Sequence, residues 1–289
     1  MEIDAIRSVA VLGAGTMGNG IAHVFARAGY GVILRDVQET FLERAVQRIS
    51  ANLDREIKKG KIVEGEKARI LARVECATEL GAIARADLVI EAVPEKIELK
   101  RRVLEEAGRA ARPEAILATN TSSISVTALA AASGRPERFV GMHFMNPVPV
   151  MELVEVIRGR QTGAAAFETV MELCRRLGKK PVAVNDSPGF VSNRVLMPMI
   201  NEAAFCVQEG VATAESVDTV MKLGMGHPMG PLELADFIGL DVCVDILEVL
   251  HEGFGDAKYR ACPLLRKMVA EGRLGRKSGR GFYVYEKQT

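Results

Sequence analysis

The chain has 289 residues but no tryptophan, only four histidines and five cysteines, and 5% aromatic residues. Cys76, Cys174, Cys206, Cys243 and Cys262 are odd in number, widely spaced and never arranged as Cys-x-x-Cys. That pattern excludes a disulfide framework and a zinc site, so no metal is expected, and it fits a reducing, cytoplasmic setting. So few aromatics give no platform for stacking bases. An excess of one charge is also missing: 38 Lys+Arg stand against 37 Asp+Glu, a formal net charge of +1. A duplex nucleic-acid partner would call for a basic surplus. No apolar run approaches the ~18–20 residues that span a bilayer. The opening residues, with Glu2, Asp4 and Arg7 ahead of a short apolar strand, do not read as a signal peptide. Neither nucleic acid nor membrane is expected as a partner.

What is present is ample apolar material. Hydrophobic residues make up 48% of the chain and charged ones 26%, enough for a sizeable core and too apolar for disorder. At roughly 100–200 residues per domain, the length favours two domains.

Residues 1–187 alternate between strand and helix patterns. Arg7–Leu12, Gly31–Arg35, Asp87–Val93, Ala115–Thr119, Phe139–His143, Leu153–Ile157 and Pro181–Val184 read as strands. Helical patterns cover Thr16–Ala28, Gln38–Lys59, Glu64–Arg73, Ile97–Ala111 and Phe167–Leu177. Alternation of this kind implies an α/β domain with a mostly parallel sheet. The pair of helices over residues 38–73 forms an inserted hairpin, an arm. From Pro188-Gly189 onward the periodicity is helical almost throughout, so residues 188–289 are expected to form a smaller all-helical domain.

Gly13-Ala14-Gly15-Thr16-Met17-Gly18 matches G-x-G-x-x-G, following a strand and opening a helix. In that context the first glycine permits a tight turn, the second lets backbone approach a pyrophosphate, and the third lets helix and strand pack closely. Asp36 ends the second strand, where a carboxylate binds the two hydroxyls of an adenosine ribose. A Rossmann-type dinucleotide site is therefore expected, with NAD as cofactor, because Asp36 repels a 2′-phosphate; the neighbouring Arg35 leaves NADP open.

His143 ends one strand and Glu155 lies in the next. A hairpin centred on Pro149 sets the two opposite each other, giving a His–carboxylate pair suited to proton transfer near neutral pH. Glu155 also sits among Val154, Val156 and other apolar residues, where a carboxylate requires a partner. Asn120-Thr121-Ser122-Ser123 follows another strand end, the edge at which open sheets bind ligands. One of the two serines is expected to cap the following helix. His23, on the first helix, reads as a packing or surface histidine.

With these segments, the chain resembles the short-chain 3-hydroxyacyl-CoA dehydrogenases. The likeness is carried further by Glu91-Ala92-Val93-Pro94-Glu95, His143-Phe144-Met145-Asn146-Pro147, Asp186-Ser187-Pro188-Gly189-Phe190-Val191-Ser192-Asn193-Arg194, Pro228-Met229-Gly230-Pro231 and Lys277 to Tyr285. The resemblance implies an NAD-dependent oxidoreductase interconverting (S)-3-hydroxyacyl-CoA and 3-oxoacyl-CoA, with the four-carbon acyl chain expected. His143 would be the general acid/base, Glu155 its orienting partner, and Ser122 and Asn193 the groups holding substrate oxygens. Gly13, Gly15, Thr16, Met17, Gly18, Asp36, Glu95, Lys100 and Asn120 would line the cofactor site. The arm would contact coenzyme A, with Lys58, Lys59 and Lys61 pairing with its phosphates, although such a run serves equally as a solvated face. The helical domain would make a homodimer, and the setting would be fatty-acid or butanoate metabolism. Met145 and Ser192 stand where the family often has Phe and Val, which bears on acyl-chain fit. A sugar-acid (gulonate-type) 3-dehydrogenase on the same scaffold, or a non-catalytic dinucleotide sensor, remain as alternatives.

Overall fold

Eight strands form one sheet: β1 (Ser8–Leu12), β2 (Gly31–Arg35), β3 (Val74–Ala77), β4 (Leu88–Glu91), β5 (Ile116–Thr119), β6 (Phe139–Phe144), β7 (Leu153–Arg158) and β8 (Lys180–Asn185). The structure is a computed structural model and describes residues 3–286. The sheet order is β3-β2-β1-β4-β5-β6-β7-β8, and every neighbouring pair is parallel except β6 and β7. Strands β4, β5 and β6 are buried along their whole length, which is why they read as continuous apolar runs rather than alternating ones.

The connecting helices are α1 (Thr16–Arg27), α2 (Glu39–Lys58), α3 (Glu64–Leu71), α4 (Ile97–Ala110), α5 (Val126–Ala132) and α6 (Ala164–Arg176). Helix α1 stops where Gly29 takes φ +99°, a left-handed turn. In the arm, α2 buries Leu42, Ala45, Ile49 and Leu53, one stripe at helical spacing, in the same core as α1 and the sheet. Its far end turns through Gly60, at φ +66°, into α3.

Strand β3 is an addition to the expected order. Val74-Glu75-Cys76-Ala77 lies at the sheet edge with two of its four residues exposed, so it lacks the apolar run that marks the central strands.

Two compact units, Met1–Ser187 and Pro188–Thr289, divide the chain. The second is helical, with α7 (Ser192–Gln208), α8 (Ala214–Gly224), α9 (Pro231–Ile238), α10 (Leu240–Phe254) and α11 (Pro263–Ala270) around its own core of Met197, Ile200, Leu232, Leu247 and Leu265. Two buried carboxylates tie its C-terminal segment down. Asp236 accepts hydrogen bonds from the amides of Phe282 and Tyr283 and from the Tyr285 hydroxyl, and Asp218 accepts one from the Tyr283 hydroxyl. Among the described residues no helix is long and apolar enough to cross a membrane.

Candidate active site

The glycine loop joins β1 to α1, and two of its three glycines are required sterically. Gly13 has φ +104°, and a Cβ on it would meet the Ala92 carbonyl oxygen at 2.7 Å. A Cβ on Gly18 would lie 1.7 Å from the Gly13 carbonyl oxygen, so helix and loop could not close. Gly15 is the opposite case: it is exposed, and a Cβ there would meet nothing within 4 Å. The open face of the loop is thus the one beside the first amides of α1, where an anion is favoured by free N–H groups and the helix dipole.

Asp36 stands at the end of β2 and faces the same loop. Its carboxylate accepts from the Ala14 amide at 2.6 Å and the Val37 amide at 2.7 Å. Arg35 Nε donates to the Thr78 carbonyl at 3.1 Å, so this guanidinium is tied to the chain beyond β3. Loop, open face and carboxylate together fit a dinucleotide.

A second polar assembly follows β4 and β5. Lys100, on α4, is only 1% exposed, and its three donors meet three acceptors: Glu91 Oε1 at 2.7 Å, Glu95 Oε2 at 3.1 Å and the Val93 carbonyl at 3.1 Å. Glu91 also accepts from the Thr119 hydroxyl at 2.7 Å. Glu95 accepts from the amides of Ser122 and Ser123 at 2.8 and 3.1 Å and from the hydroxyls of Thr121, Ser122 and Ser123. Burial alone would raise the Glu95 carboxyl, but Lys100, the Thr121 hydroxyl and the Ser122 amide outweigh it and hold it below the usual carboxylate range. The 120–123 loop is therefore gathered around one carboxylate.

Neither Ser122 nor Ser123 caps the next helix. Ser125 does so, accepting from the Ala128 amide, while Asp186 accepts from the Ser125 hydroxyl and the Val126 and Thr127 amides at 2.8, 3.1 and 2.7 Å. The first amides of α5 are thus served by Ser125 and Asp186.

The β6–β7 pairing sets His143 opposite Glu155, with Nδ1 2.8 Å from Glu155 Oε2. Both side chains are buried. A carboxylate only accepts, so Nδ1 is the donor of this pair. Asn120 joins β5 to this strand, its Oδ1 accepting from the Phe144 amide at 3.0 Å.

Other expected residues are placed more loosely. Thr16 is exposed and Met17 half-buried on the first turn of α1. Lys58, Lys59 and Lys61 are exposed at the end of α2 and in the turn after it. Asn193 is buried in the first turn of α7 in the second unit. Glu91, Thr119 and Asp186 were missed as site-forming residues, whereas Thr121 lies in the polar segment expected at this edge. Glu91 had a signal, an acid closing the apolar run Leu88-Val89-Ile90; Thr119 had none.

Comparison with known proteins agrees with this geometry. Residues 8–187 match the family model for the 3-hydroxyacyl-CoA dehydrogenase NAD binding domain, and residues 189–285 match the model for its C-terminal domain. The chain is 56% identical to a probable 3-hydroxybutyryl-CoA dehydrogenase of Deinococcus radiodurans over 275 residues, 95% of this chain and 99% of that protein. It is 54% identical to a probable 3-hydroxybutyryl-CoA dehydrogenase of Bacillus subtilis over 284 residues, 98% and 99% of the two chains. The crystal structure of an (S)-3-hydroxybutyryl-CoA dehydrogenase from Ralstonia eutropha superposes with a TM-score of 0.96 at 50% identity, covering 98% of this chain and all of that one. With its glycine loop, its Asp36 and both family models matched in order, the chain belongs to the 3-hydroxyacyl-CoA dehydrogenase family, NAD-binding oxidoreductases.

Proposed function

We propose that the protein interconverts (S)-3-hydroxybutanoyl-CoA and acetoacetyl-CoA, with His143 as general acid/base. The observation that carries this reading is the buried 2.8 Å contact between His143 Nδ1 and Glu155 Oε2. In the oxidative direction His143 Nε2 takes the proton of the 3-hydroxyl, and Glu155 offsets the positive charge that the imidazole gains. Ser122 and Asn193 hold the substrate oxygen, whose charge changes along the reaction. Bound NAD supplies the two-electron acceptor, and its reduced form the donor. Reduction uses the same groups in reverse, with the imidazolium as acid.

Gly13, Gly15, Thr16, Met17 and Gly18 hold the pyrophosphate, Asp36 the adenosine ribose, and Glu95 and Asn120 the nicotinamide half. Lys100 acts there through Glu95, since all three of its donors are taken within the protein. The tether of Arg35 to Thr78 favours NAD over NADP. Lys58, Lys59 and Lys61 meet phosphates of coenzyme A, and the unit after Ser187 supplies Asn193 and the contact of a homodimer. A cytoplasmic place in fatty-acid oxidation or butanoate metabolism suits this chemistry.

The test is consumption of NADH and NADPH with acetoacetyl-CoA and longer 3-oxoacyl-CoAs. Turnover with NADH and the four-carbon substrate is expected to exceed the others. Absence of turnover with every acyl-CoA would leave a dinucleotide sensor. Turnover with a sugar acid, without competition by free coenzyme A, would favour the gulonate-type reading.

A further inference from the structure

A cleft of about 720 Å³ opens in the first unit, between the C-terminal end of α1, the arm and the β6–β7 hairpin. Its walls include Arg27, Lys61, Arg69, Arg73 and Lys179, against Glu66 and Glu152. Most of the negative charge is committed. Glu66 accepts from the Val63 amide at the start of α3, and Glu152 pairs with Lys180 at 2.6 Å, touching Lys61 and Lys179 only at longer range. Arg27 is paired with Glu56. The other four cations have no carboxylate within 4 Å among the described residues.

Lys179 is the telling member. It is 7% exposed, and among the described residues its ammonium is held by two neutral acceptors alone, the carbonyls of Val148 and Met151 at 2.6 and 2.7 Å. An ammonium has three donors, so one is unspent. A buried ammonium is costly to keep without a counter-charge. Four cations around one opening also repel one another, and an anion in the cleft would relieve both costs.

We infer that this cleft binds a phosphate-bearing anion on Lys61, Arg69, Arg73 and Lys179. The site reports to the chemistry through Lys179, because Val148 and Met151 lie in the segment joining His143 to Glu155. It rests on the uncompensated charge and not on the assignment of substrate.

The experiment is calorimetric titration of the full chain with inorganic pyrophosphate. One site per chain is expected, weakened at least tenfold in Arg69→Gln/Arg73→Gln; among the described residues Arg69 is exposed with no hydrogen-bond or ion-pair partner, and Arg73 donates to the Ala26 carbonyl and meets no carboxylate. NADH affinity should not change. A control with the same loss of charge on α4, Arg101→Gln/Arg102→Gln, should keep the site. No binding, or equal weakening in the control, overturns the proposal. Competition separates the sources of phosphate. If free coenzyme A or 3′,5′-ADP displaces pyrophosphate, the cleft takes a phosphate of the coenzyme, and KM for acyl-CoA rises in the double variant. If neither displaces it, the occupant is a separate phosphorylated metabolite, and KM stays.

Discussion

The first unit contains two histidine–glutamate neighbours that meet opposite fates. His143 and Glu155 face each other across an antiparallel strand pair at 2.8 Å, at the sheet edge where β5 and β6 end. His23 and Glu56 meet between helices α1 and α2, where His23 Nε2 lies 3.5 Å from Glu56 Oε1 and neither ring nitrogen has a hydrogen-bond partner among the described residues. The difference lies in the third party. Arg27 takes both oxygens of Glu56 at 3.1 Å, and His23 is left fully buried. Burial lowers the His23 pKa to about 4, with Glu56 opposing the shift and Arg27 and Lys179 adding to it. The same two residue types thus make a hydrogen-bonded pair in one place, the one proposed to handle the substrate proton, and a neutral packing histidine in the other. Residue identity does not decide which; strand register and the competing cation do.

The largest effect is expected from His143→Gln. General acid–base help is worth ~10²–10⁴-fold, so turnover should fall by at least that order while NADH still binds. Near-normal turnover would end the distinction between the two pairs. Glu155→Gln keeps an acceptor beside Nδ1 but removes the charge. A hydrogen bond to a charged group contributes about 1.5–3 kcal/mol, so steady-state turnover should drop roughly 10- to 100-fold. A loss as small as threefold would assign Glu155 to packing.

A further effect concerns stability rather than turnover. A base whose folded pKa is depressed is protonated first in the unfolded chain. The stability due to neutral His23 is therefore complete above pH 6.5 and declines as the pH falls toward 4, by on the order of 3 kcal/mol over that window. His23→Leu should lose this decline, read from urea midpoints at pH 7 and pH 5. Parallel pH profiles for variant and parent would show that His23 does not titrate as its burial requires.

Much of the fold was legible because the central strands are apolar runs bounded by glycine and polar turns. The edge strand β3 was not, since half its residues are exposed and no hydrophobic face marks them. The register of His143 against Glu155 was readable from hairpin arithmetic around Pro149. The environment of Lys100 was not: its partners come from β4 and the loop after it, and only the packing of α4 reveals that its ammonium is enclosed. The capping of α5 by Asp186, 60 residues away from Val126, is likewise a product of sheet order rather than of local sequence.

The reversal of β7 in an otherwise parallel sheet makes the segment from Phe144 to Val154 a counted spacer. Side chains alternate along a strand, so the β6–β7 register decides which β7 residue stands opposite His143. A one-residue insertion or deletion in that spacer would bring Val154 or Val156 level with His143, trading a carboxylate for a methyl group. Length in this stretch is therefore under tighter constraint than composition, and indels in homologous chains should be rarer here than in the turn between α2 and α3.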